Sequence, residues 1–141
     1  MSRDGDRKGS VQLGESIKST FSLGESLLLH GEGTRSIDGR LNRLKRGAAV
    51  YAIKYSVPLV PVGITYPKEK WHRSDIEVSF GRPLALPQYG AEFSDVPLSP
   101  DGFASAVTNI AENSIAEMTG QERSGYHLDP YTKKLLIPEE E

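Results

Sequence analysis

Cysteine is missing altogether from the 141 residues, which excludes disulfides, thiolate metal sites and a cysteine nucleophile. Long apolar runs are missing too. No stretch approaches the ~18 consecutive apolar residues that a membrane-spanning helix needs, and residues 1–9 are polar and charged, unlike a signal peptide. These two absences lead us to expect a cytoplasmic protein without a membrane span of its own. A dominant charge is also lacking: the net charge of -2 and pI of about 5.9 give no overall attraction to nucleic acid. Histidine is scarce, at positions 30, 72 and 127 only, so a histidine-centred acid–base pair has few places to sit. There is no internal repeat, and no grouping of metal-ligand residues marks a metal site.

What is present fits one domain of ordinary soluble composition, with 37% hydrophobic and 26% charged residues. The most informative stretch runs from Leu27 to Ser36, Leu-Leu-Leu-His-Gly-Glu-Gly-Thr-Arg-Ser. Three uninterrupted leucines read as a buried strand, and two glycines bracketing a carboxylate read as a loop at its end. Gly31 and Gly33 permit positive φ and close approach of a ligand. Arg35 supplies planar, bidentate donors suited to a phosphate or carboxylate oxyanion. Glu32 can hold that guanidinium or accept from a ligand hydroxyl, and Thr34 and Ser36 add neutral donors. From Arg35 to Arg46, five cations (Arg35, Arg40, Arg43, Lys45, Arg46) face the single carboxylate of Asp38, a local excess of four. An anion would settle there. Interleaved aromatics are absent from this basic segment, which argues against RNA, and the third glycine of a dinucleotide fingerprint is absent as well.

In chain order, Ser10 caps a helix with Leu13, Ile17 and Phe21 at four-residue intervals, ending at Gly24. Strand Leu27 to His30 follows, then the basic loop with its turn at Asp38-Gly39, then a helix over 46–55 whose Ala48, Ala49 and Ala52 allow close packing. Val57 to Ile64 reads as a central parallel strand distorted by Pro58 and Pro61. Strand, helix and strand form a right-handed crossover, which places the glycine loop at a strand's carboxyl end, where α/β sheets bind ligands. Asp75 to Phe80 alternates as a half-buried strand with Ile76, Val78 and Phe80 inward. Ser99-Pro100 opens a helix whose apolar face carries Phe103, Val107, Ile110, Ser114, Ile115 and Met118 and which closes at Gly120. Residues beyond it read as irregular. The fold class expected is α/β, a mixed and largely parallel sheet flanked by helices.

Glu32-Gly33-Thr34-Arg35-Ser36, Lys45-Arg46-Gly47-Ala48-Ala49 and Val57-Pro58-Leu59-Val60-Pro61-Val62 together resemble the glycerolipid acyltransferase family, which includes 1-acylglycerol-3-phosphate acyltransferases. That family shows Phe-Pro-Glu-Gly-Thr-Arg-Ser, Lys-Arg-Gly-Ala and Val-Pro-Ile-Val-Pro-Val blocks in this order. Ser79 to Leu84 and Met118 to Glu122 resemble its later segments. The resemblance implies an incomplete acyltransferase domain over residues 1–122, followed by an irregular tail over 123–141. It implies acyl transfer from acyl-CoA or acyl carrier protein to the hydroxyl of lysophosphatidate or a related glycerophospholipid, at a membrane surface on the cytoplasmic side, with no cofactor, metal or nucleic acid. The substrate-binding residues it points to are Arg3, Glu32, Gly33, Thr34, Arg35, Ser36 and Lys45.

Two departures stand out. His30 and Gly31 occupy the place of the family's Phe-Pro. The family's His-x-x-x-x-Asp block, whose histidine takes the proton from the acceptor hydroxyl, has no counterpart: five residues beyond the three histidines lie Arg35, Glu77 and Thr132. His72 with Glu77 reads as two exposed polar residues, and His30 as a packing residue. No catalytic residue is therefore assigned within the chain, and the chain is expected to begin after the catalytic block and to be inactive alone. The alternative is a non-catalytic module that binds phospholipid head groups or a partner.

Overall fold

The computed structural model describes residues 3–33, 39–66, 76–84, 100–128 and 135–136. Helix α1 spans Arg3–Ser22 and ends as the glycine signal predicts. Gly24 takes φ +73, its N–H bonds the Phe21 carbonyl (3.0 Å), and the Glu25 N–H reaches Thr20 (3.1 Å), a glycine termination of the kind that satisfies last-turn carbonyls. α1 buries Ile17 and turns Phe21 edge-on to Tyr55, ring centres 5.8 Å apart, while the Tyr55 hydroxyl donates to the Gly14 carbonyl at 3.2 Å.

Helix α2, Gly47–Tyr55, buries Ala49 and Ala52. It stops at Ser56, whose left-handed backbone lets its own N–H and that of Val57 bond back to Ile53 and Ala52. The long central strand is reduced to β1, Val62–Thr65, preceded by an isolated antiparallel bridge between Leu59 and Leu84. The prolines are the reason: each removes a ladder donor, and the register resumes only past Pro61. β1 pairs antiparallel with β2, Glu77–Phe80. Helix α3, Pro100–Thr119, closes at Gly120 with φ +68. Short strands β3, His127–Leu128, and β4, Leu135–Leu136, form a second antiparallel pair.

The structure is mixed α/β, and several expectations need correction. The sheet is not largely parallel. Both ladders have two antiparallel strands, and the parallel pairing among the described residues is the Leu41–Arg123 bridge. Leu27 to His30 forms no strand and is not buried. Leu27, Leu28 and Leu29 are 40%, 73% and 46% exposed, and among the described residues nothing hydrogen-bonds the backbone from Ser26 to Leu29. A strand exists only with a neighbour to satisfy its amides and carbonyls, and without one the crossover topology fails with it. β2 also faces the other way. Ile76, Val78 and Phe80 point outward (58%, 48% and 74% exposed), because the opposite face of the hairpin carries Gly63 and lies so close to α3 that a β-carbon there would come within 2.9 Å of Thr119.

The core is built from Leu41, Leu44, Ala49, Ala52, Leu84, Ala104, Val107 and Ala111. On α3 the most buried stripe is Ala104, Val107, Thr108, Ala111 and Glu112. The larger residues read as its apolar face, Phe103, Ile110 and Ile115, flank that stripe half-buried. Small residues win the centre because they let α2 and α3 approach closely. The irregular stretch expected after Gly120 is ordered at its start: residues 122–126 lie beside 41–43, with Leu41 N–H to Glu122 O, Ser124 N–H to Leu41 O and Arg43 N–H to Tyr126 O at 2.8–2.9 Å.

Candidate functional site

The site grows from the segment Leu41 to Lys45. It is extended, so its side chains alternate: Asn42 and Leu44 are buried, Arg43 and Lys45 exposed. Its backbone holds the glycine turn in place. Lys45 N–H donates to the Gly31 carbonyl at 2.8 Å, and Asn42 N–H donates to Glu32 Oε2 at 2.9 Å. The turn itself closes through Gly33 N–H to His30 O at 3.1 Å. Gly33 sits at φ +70, and a β-carbon on it would lie 2.9 Å from Lys45 Cε and 3.0 Å from Nζ. The Lys45 side chain is thus laid across the glycine, with its ammonium at the point where the chain enters Thr34. Gly31 meets Leu44 in the same manner, 2.9 Å from Cδ2.

Glu32 is half-buried, and burial is the first cause that pushes its carboxyl above the ordinary 4.5. The Asn42 N–H and side-chain amide oppose that rise, and the Glu112 carboxylate adds to it. Asn42 is 2% exposed, accepts from Ser124 Oγ at 3.1 Å through Oδ1, and has an Nδ2 short of hydrogen-bond geometry with any described group.

Behind the segment stands Glu112 of α3, 1% exposed. Its Oε2 accepts the Leu44 N–H (3.0 Å), and its Oε1 accepts Arg123 Nε (2.8 Å) and Nη2 (2.7 Å). Arg123 also reaches Asn109 and Asn113. A buried carboxylate satisfied on both oxygens is a structural clamp: it ties α3, the residues after α3 and the back of the turn together.

Of the residues singled out in the sequence, the structure brings together Glu32, Gly33 and Lys45. Arg3 is the first residue of α1, its side chain lying outside the description. Thr34, Arg35 and Ser36 lie outside the described residues, as do His72 and Trp71. His30 is exposed. Sequence reasoning missed Asn42, Glu112, Arg123 and His127. The alternation in Leu41-Asn42-Arg43-Leu44-Lys45 was a usable signal for Asn42; the others are joined to the turn only by tertiary contacts.

Residues 1–65 match the family model described as Acyltransferase. Over that segment, somewhat under half of the chain, the protein is similar to the acyltransferase family. No curated protein and no solved structure matches it. The matched segment contains the whole glycine turn and the Leu41 to Lys45 segment that holds it, whereas Glu112, Arg123 and His127 lie beyond it.

Proposed function

We propose that this chain carries the acceptor-binding part of a glycerophospholipid acyltransferase, over residues 1–122, working at the cytoplasmic face of a membrane. The acceptor is lysophosphatidate or a related glycerophosphate, and the donor is acyl-CoA or acyl carrier protein. The observation that carries this reading is the clamped turn, Glu32 fixed by the Asn42 N–H with Lys45 laid over Gly33, inside the segment matched to acyltransferases. Lys45 and the guanidinium of Arg35 offer the positive charge that a phosphate needs. Thr34, Ser36 and Arg3 are assigned to the same acceptor, and Glu32 to its hydroxyl or to positioning Arg35.

A second reading, a head-group-binding module without catalysis, is favoured by one sequence fact: none of the three histidines has an aspartate five residues on. A transferase assay with acyl-CoA and lysophosphatidate separates the two. Turnover by the chain supports acyl transfer; saturable lysophosphatidate binding without turnover selects the binding module.

A further inference from the structure

The structure places one more titratable side chain beside the segment that holds this turn. His127 opens β3, and the preceding residue, Tyr126, accepts the Arg43 N–H at 2.8 Å. The ring is half-buried and faces the backbone of Arg43, with the Arg43 and Lys45 cations and the Glu112 carboxylate as its charged neighbours. Glu112 is already committed to Arg123 and to Leu44. Arg43 and Lys45 share the outward face of their segment, and among the described residues neither has a carboxylate within ion-pair distance. The imidazole thus lies beside the segment that carries these two cations, and one of them, Lys45, is laid against Gly33.

We propose that His127 is a binding residue for the phosphate group of the acceptor, completing with Arg43 and Lys45 a corner that selects a doubly ionised phosphate monoester over a phosphodiester. The inference rests on the acceptor-binding reading above. A monoester brings close to two negative charges near neutral pH, a diester one, and a third cationic donor is of use only to the former. Burial first, and then the Arg43 cation, lower the imidazole below its ordinary 6.5. A bound dianion reverses the second of these influences, so that ligand binding and protonation of His127 support each other.

The test follows the His127 ring by NMR and measures binding by calorimetry at about pH 7 and 150 mM salt, where the monoester is mostly a dianion, with glycerol 3-phosphate as the monoester and glycerophosphocholine as the diester. The expected result is a rise in the His127 pKa on saturation with glycerol 3-phosphate, none with glycerophosphocholine, and a loss of about fivefold or more in glycerol 3-phosphate affinity in His127→Gln. The proposal is overturned if saturating glycerol 3-phosphate leaves the His127 titration unmoved, or if His127→Gln binds like the parent. Arg35→Ala distinguishes the two levels. Binding lost in Arg35→Ala and kept in His127→Gln overturns the inference alone; no binding by the parent chain overturns the acceptor reading with it.

Discussion

Glu32 shows how a single position carries both cost and purpose. Its carboxylate is held by one backbone N–H in a half-buried place, and burial lifts its pKa. A carboxyl raised in the folded state binds its proton there more readily than in the unfolded chain, so it favours folding at low pH and costs stability as pH climbs through the raised value. Glu32→Gln, whose amide oxygen can still accept from Asn42, should therefore gain on the parent as pH rises from 4.5 to 8 in urea titrations. A constant difference between the two across that range would contradict the assignment. Gly33 has a different reason to be what it is: at φ +70 an alanine meets the left-handed penalty of about 1–2 kcal/mol and also displaces Lys45. Gly33→Ala should lower stability by about that amount and weaken phosphate binding, the first read by denaturation and the second by calorimetry.

At the scale of elements, α3 governs the site through one residue. Glu112 serves the Leu44 N–H and the Arg123 guanidinium at once, so its removal leaves a buried amide without a partner and a cation without a counter-charge. Arg123 is 35% exposed and keeps its asparagine partners, so the cost is chiefly that of the unsatisfied buried amide, about 1–3 kcal/mol. Glu112→Ala should fall in that range and should speed hydrogen exchange at the Leu44 amide; unchanged protection there would mean that the clamp does not hold the segment. The helix ends were legible in the sequence because their punctuation is local: Gly24 and Gly120 stop α1 and α3 where expected, and Ala49 and Ala52 of α2 are buried, whereas α1 begins at Arg3 and runs through Ser10, which does not cap it. The strands were not, because a strand is defined by its neighbour. The Leu27 to Leu29 run has the composition of a buried strand and no hydrogen-bonded neighbour among the described residues, and Ile76, Val78 and Phe80 alternate correctly but face out, since Gly63 and α3 settled which side of the hairpin would be covered.

Over the whole molecule, the chemistry and its support come from different parts of the chain. The turn bearing Glu32 and Gly33 lies within the segment matched to acyltransferases, and the turn itself was readable from its two glycines. The clamp of Glu112 and Arg123, and the neighbourhood of His127, come from beyond residue 65 and required the fold, because contacts spanning 68 residues, as between Leu44 and Glu112, leave no periodic trace. The exposed leucines at 27–29, with Ile64, Val78 and Phe80 on the hairpin, give the molecule two apolar surfaces at unlike places. The central claim concerns neither of these: it is that the loop after Gly33 grips an anionic lipid head through Arg35. The most direct measurement is the affinity of the chain for lysophosphatidate in parent and Arg35→Glu forms, with circular dichroism to show that both are folded. The account predicts saturable binding by the parent and a loss of at least about tenfold on charge reversal, roughly 1.4 kcal/mol; equal affinity in two folded proteins would contradict it.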